Sequence, residues 1–223
     1  LLSERSRQLI QDAMFNMGYL RAKVTTEEKY KGYKVRVDYK VHPGKRYYVD
    51  SISIDVKDTT IANELSKISA HSLLKAGMPF DANILNNERS RITDHMTDNG
   101  YYAFNRDFIR YEVDTVRGSE YVDLKMTISH QNNAGPDSAR MQRLYRVGDV
   151  SFTYDRSTES PIWFRQSVLK KVNSLIPGNV YSESDLSDTY SRINSLGAVA
   201  ATNIRMEPNE SDSSLLDANI VIT

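Results

Sequence analysis

The chain has 223 residues, 26% of them charged, and a formal net charge of zero, so no strong electrostatic bias draws it to nucleic acid or to an anionic membrane surface. It has no cysteine, which removes disulfides, thiolate chemistry and cysteine-bound metal. No run of about 18 apolar residues occurs, Leu1 to Arg7 is not a signal peptide, and the length suits one large domain or two to three small ones.

Ile10, Ala13, Met14 and Met17 recur at the spacing of one helix face. Gly18 follows where a left-handed C-cap belongs. The chain begins inside this pattern, which reads as part of something longer. A strand over about Leu20 to Thr26 is expected to pair, through a turn near Gly32, with Tyr33 to Val41. The latter alternates apolar and charged residues as a half-buried strand does. His42-Pro43-Gly44 interrupts the pattern, and Tyr47, Val49, Ile52 and Ile54 mark the next strand. About Thr60 to Ala76 is helical in composition and ends at Gly77. Asp81 is the expected N-cap of a second helix carrying Leu85, Ile92 and Met96 on its buried face and stopping at Asn99-Gly100. Two strands follow, one with Ile109, Tyr111 and Val113, the other with Val122, Leu124, Met126 and Ile128, joined at Arg117-Gly118.

Gln131 to Arg140 is polar, contains Gly135-Pro136-Asp137-Ser138, and reads as a loop or linker. After it the order recurs. Val150, Phe152 and Tyr154 mark a strand, and Ile162 to Val172 a helix closed by Pro177-Gly178. Ser182, with Asp185 three residues on, starts a helix bearing Leu186, Tyr190, Ile193 and Leu196, with Ile193 and Leu196 expected to be buried. Gly197 stops it. Val199 to Met206 and Leu216 to Ile222 form a closing hairpin.

The recurrence is an internal repeat. Tyr47 to Ile54 matches Tyr145 to Phe152, Gly77-Met78-Pro79-Phe80 matches Gly178-Asn179-Val180-Tyr181, and Ser90-Arg91-Ile92 matches Ser191-Arg192-Ile193. The unit is strand, helix, helix, strand, strand. Boundaries fall at 1–42 for a partial unit (second helix and hairpin), 43–129 for a complete one, 130–142 for a linker or loop, and 143–223 for a second complete one.

Chemistry-bearing motifs are missing from this pattern. His42, His71, His95 and His130 are not at metal-ligand spacing. No Gly-x-Ser-x-Gly occurs. Asp55, Asp58 and Asp155 follow strands, where they suit turn and helix capping better than calcium binding. The lysines and tyrosines of Lys29 to Lys40 fit the solvated face of a strand better than a base-stacking platform. No cofactor, metal, nucleic acid or enzymatic activity is expected.

Strand-helix-helix-strand-strand resembles the POTRA domain of bacterial outer-membrane assembly proteins, the BamA- and TamA-like surface-antigen family with the related two-partner secretion transporters. Val41-x-Pro43-Gly44-x-x-Tyr47-x-Val49 is similar to that family's junction between consecutive domains, and Tyr145 and Val147 repeat its last part. Ile92-x-x-x-Met96-x-x-x-Gly100-Tyr101 resembles its second helix, and Leu186, Arg192, Ile193, Leu196 and Gly197 a shorter form. Asp55 to Asp58 stands where the family often has a glycine, and Ala198 replaces a tyrosine.

The resemblance implies an α+β fold of tandem modules, each a three-stranded mixed sheet with two helices on one face. It also implies the periplasmic portion of an outer-membrane protein whose membrane β-barrel lies outside this chain. The expected partners are unfolded outer-membrane or translocated polypeptides and accessory lipoproteins. The strand after the second helix lies at a sheet edge in this family. Ile109, Arg110, Tyr111 and Val113, with Val199, Ile204 and Met206, are therefore the expected polypeptide-binding residues. The alternatives are a rigid spacer or docking scaffold without client contact, a two-partner secretion transporter, and a divisome-type adaptor.

Overall fold

The computed structural model describes residues 2–129, 143–154, 164–197 and 202–223. Packing divides the chain into two compact units, Leu1–Arg91 with Asp107–Ser129, and Ile92–Arg106 with His130–Thr223.

The first unit opens with α1 (Leu2–Asn16) against a two-stranded hairpin of β1 (Lys23–Lys31) and β2 (Lys34–His42). Gly32, at φ 59°, supplies the left-handed step of its turn. This hairpin is wetter than its alternation predicts. Val24 is buried, but Val35 and Val41 are exposed, and α1 has no fully buried residue with which to cover them.

A complete module follows: β3 (Tyr48–Val56), α2 (Thr59–Ile68), α3 (Ala82–Asp98), β4 (Ile109–Thr115) and β5 (Tyr121–Ile128). The sheet order is β3-β5-β4, with β5 parallel to β3 and antiparallel to β4. Along β5, Val122, Leu124, Met126 and Ile128 are buried while Tyr121, Asp123 and Lys125 are exposed. One face therefore carries the core, built by Tyr47, Val49, Leu74, Phe80, Leu85, Val122 and Leu124. Asp58 caps α2 by accepting from Ile61 N at 2.9 Å, and Asp81 accepts from Asn83 N at 2.8 Å at the start of α3. Asp55 instead pairs with Lys125 at 3.2 Å.

The first helix of this module ends eight residues before Ala76, at Ile68, with one 3-10 turn over Ser69–His71. The cause is tertiary. Glu88 of α3, only 2% exposed, accepts from Leu73 N at 3.1 Å and from Ser72 Oγ at 2.8 Å. Those bonds hold Ser72 at ψ 136° and keep the helical turns from running on past His71. A buried acceptor outweighs a weak helix propensity.

The second unit holds β6 (Arg146–Tyr154), α4 (Gln166–Val172), α5 (Glu183–Asn194), β7 (Thr202–Pro208) and β8 (Leu215–Ile222), in sheet order β6-β8-β7. Pairing repeats that of the preceding sheet, parallel for β6 with β8 and antiparallel for β7 with β8. Leu169 of α4 and Ile193 of α5 meet Ile220 and Ile222 of β8. Ser182 caps α5, accepting from Asp185 N at 3.2 Å. Ile193 is fully buried, as are Ile92 and Met96 of α3, whereas Leu196 is only half-buried. Ile162, Asp155, Val199 and the expected linker at 130–142 lie outside the described residues.

Both first strands carry the same irregularity. Register shifts between Val49 and Ile52 in β3 and between Val147 and Val150 in β6. One extra residue at the same place in two different sequences is a built feature of the module rather than a defect.

Candidate functional site

A three-stranded sheet has two outer strands, and in each module their edges differ. The first strand's edge is already taken along its N-terminal part. In one module Val49 donates to Met78 O at 2.9 Å, Gly77 donates to Val49 O at 2.7 Å, and Phe80 donates to Tyr47 O at 3.0 Å. In the other, Val147 donates to Asn179 O at 2.9 Å, Gly178 to Val147 O at 2.7 Å, and Tyr181 to Tyr145 O at 3.0 Å. The four-residue loop after the first helix thus acts as a short fourth strand. Gly77 and Gly178, at φ 82° and 86°, turn it into place.

The opposite edge, on β4 and β7, has no such cover among the described residues. Which residues offer their backbone there follows from register. Ser129 donates to Phe108 O at 3.0 Å and Val116 donates to Tyr121 O at 3.0 Å. In an antiparallel ladder, residues two apart face the same way. Arg110, Glu112 and Asp114 therefore point their N–H and C=O inward to β5, and Ile109, Tyr111, Val113 and Thr115 point theirs outward. Likewise Asn209 donates to Leu215 O at 3.0 Å, so Thr202, Ile204, Met206 and Pro208 face outward from β7.

This parity corrects one expected site residue. Arg110 lies on β4 with an exposed side chain, but its backbone is committed to β5, so its N–H and C=O are not open to an added strand. Ile109, Tyr111, Val113, Ile204 and Met206 remain placed for it, and Thr115 joins them. The side chains of these residues turn toward the helix side. Ile109 is buried, and Tyr111, Val113, Ile204 and Met206 are half-buried. The Tyr111 ring lies under the Arg89 guanidinium, 5.1 Å from its centroid. Burial, with Glu88 nearby, raises the Tyr111 phenol above its ordinary range, so the phenol stays neutral.

The expected junction residues are brought together differently from the edges. Pro43 and Gly44 (φ 71°) lead into Tyr47, which is buried and donates to Gly18 O at 2.8 Å. Tyr145 does the same to Gly100 O, also at 2.8 Å. Neither glycine tolerates a side chain. Gly18 has φ 90° and a Cβ there would lie 2.4 Å from Phe80 O; Gly100 has φ 94° and would meet Val180 Cγ1 at 2.8 Å. Asp98, at the end of α3, accepts from Ser184 N at 2.8 Å and from Ser184 Oγ at 2.8 Å, holding the first turn of α5. Among the described residues, no group of three His, Asp or Glu side chains is arranged to hold a metal ion. No helix among them is long and apolar enough to cross a membrane.

No protein-family model and no curated protein matches the sequence. Solved structures do. The chain is similar to POTRA3–5 of BamA from Haemophilus influenzae, with a TM-score of 0.62 and 17% identity, covering 99% of this chain and 79% of that one. It is also similar to BamA from Haemophilus ducreyi lacking POTRA domains 1–3, with a TM-score of 0.59 and 19% identity, over 79% of this chain and 29% of that one. The modules have the POTRA fold. In each complete POTRA module here, the open edge belongs to the strand after the second helix, and the loop that blocks the opposite edge escaped notice in the sequence. Its signal was present, since Gly77 to Phe80 and Gly178 to Tyr181 stand at matched places in the repeat.

Proposed function

We propose that this chain is the periplasmic arm of an outer-membrane β-barrel assembly or protein-translocation factor, and that it binds extended polypeptide by strand addition on β4 and β7. The observation that carries the reading is the asymmetry of the edges. The module covers the N-terminal part of one outer strand with its own loop and leaves a row of outward N–H and C=O groups along the other. Backbone pairing is blind to side-chain identity, which suits a handler of many unfolded outer-membrane or translocated clients. Each added hydrogen bond contributes only about 0.5–1.5 kcal/mol net, so binding is weak and reversible. The POTRA fold supports the location, and it supports accessory lipoproteins and a membrane β-barrel as the other partners.

The test is proline at outward positions. Val113→Pro and Ile204→Pro each remove an N–H that the inner ladder does not use. Pro208 already occupies such a position in β7. Crosslinking of client peptide and barrel-assembly activity are expected to fall in both folded variants. If both persist at wild-type levels, the modules serve as a rigid spacer or docking scaffold instead.

A further inference from the structure

Beside the outward residues of β4 lies a cavity of about 330 Å³ lined by Phe15, Leu20, Arg21, Tyr47, Phe80, Val113 and Thr115. Five of those seven residues are apolar or aromatic and sit on the helix side of the sheet. Val113 and Thr115 belong to both features, with backbones facing the open edge and side chains forming one wall of the cavity. In an antiparallel ladder, directly opposed residues place their side chains on the same face. A residue added opposite Val113 or Thr115 therefore sends its side chain toward the cavity.

The second complete module shows what fills the corresponding space there. Tyr102 stands two residues after Gly100, as Leu20 stands two residues after Gly18. Its ring packs edge-on against Tyr145 at 5.9 Å and Tyr181 at 5.1 Å. Those two tyrosines match Tyr47 and Phe80 in the repeat. The smaller Leu20 packs on the same cluster but leaves the volume open.

We infer that the β4 edge selects among extended polypeptides, taking those that place a bulky apolar side chain opposite Val113 or Thr115, where the cavity receives it. The inference rests on the strand-addition reading and adds a side-chain preference to it. The row of alternating backbone groups calls for a peptide backbone, and the apolar lining calls for an apolar side chain on it. Arg21 at the wall disfavours a lysine guest.

The experiment uses the whole chain and a blocked, soluble peptide of about ten residues in extended conformation, with Ala, Leu, Phe or Lys as a single central guest. A second set is N-methylated at alternate residues, so it cannot donate to an edge. The expected result is binding about tenfold tighter for Leu and Phe than for Ala, with Lys no better than Ala. N-methylation should abolish binding throughout. Leu20→Tyr, which copies the filled site, should bring the guests to within about twofold of one another. Phe15→Ala removes a half-exposed wall residue outside the core and should also reduce the preference. Equal binding of all guests with N-methyl sensitivity retained overturns the cavity inference and leaves strand addition standing. A guest preference that survives N-methylation overturns both, as does absence of binding.

Discussion

At the same place in the two complete modules, a side chain of the second helix accepts the amide N–H of the loop leaving the first. In one it is the Glu88 carboxylate, taking Leu73 N at 3.1 Å. In the other it is the Thr189 hydroxyl, fully buried, taking Ser174 N at 2.9 Å and donating to Asp185 O at 2.8 Å. The charged solution needs more support. Glu88 also draws on Ser72 Oγ and on Arg91 at 2.7 Å. In the neutral module the matching arginine, Arg192, is released to the surface, where it reaches Asp188 at 3.4 Å. What the fold requires is an acceptor at that point, and either chemistry supplies it.

The largest break in this comparison is expected from Glu88→Ala. It strands the Leu73 amide and leaves Arg91 without its carboxylate, at a cost of about 3–5 kcal/mol. Hydrogen exchange at Leu73 N–H and denaturant melts would read it. Thr189→Ala strands a single amide and should cost about 1–3 kcal/mol, read at Ser174 N–H, while Thr189→Ser should largely restore protection.

Acidity separates the modules next. Burial opposes ionisation of Glu88, but its bonds from Arg91, Leu73 N and Ser72 outweigh that and hold its pKa below the usual carboxylate range. Its folded value is therefore depressed. The stability it contributes is present above about pH 4.3, the ordinary glutamate value, and is lost as pH falls through the lowered one. Protection of Leu73 N–H should decline on acidification while that of Ser174 N–H does not, and Glu88→Gln should flatten the difference. The smallest effect is expected for Arg192→Ala, within about 0.5 kcal/mol as for exposed pairs. An equal loss from Arg91→Ala would show that the two arginines are equivalent after all.

Much of the fold was legible because its signals are local. Gly18, Gly100 and Gly197 close helices at positive φ, Ser182 and Asp81 open them, and the strand alternation survives in β5. That the helical turns stop before Ala76 was not legible, because Glu88 of another helix binds Ser72 and Leu73. The open edges were legible only as strands. Whether Arg110 or Tyr111 faces outward depends on register with β5, and β4 alternates side chains without saying which way its amides point. The blocking of β3 was hidden for a similar reason, since Met78-Pro79 has no strand-like pattern of its own.

The bond that the Tyr47 amide donates to Gly18 O, repeated by Tyr145 to Gly100 O, has a consequence for ancestry. Each complete module carries both halves of this splice, a tyrosine at its head and a glycine behind its second helix. The splice reads backbone atoms and one missing side chain, so it places little demand on the rest of the sequence. A gene segment copied in tandem would bring a working joint with it, and the two copies could then drift apart residue by residue without losing the means to be joined.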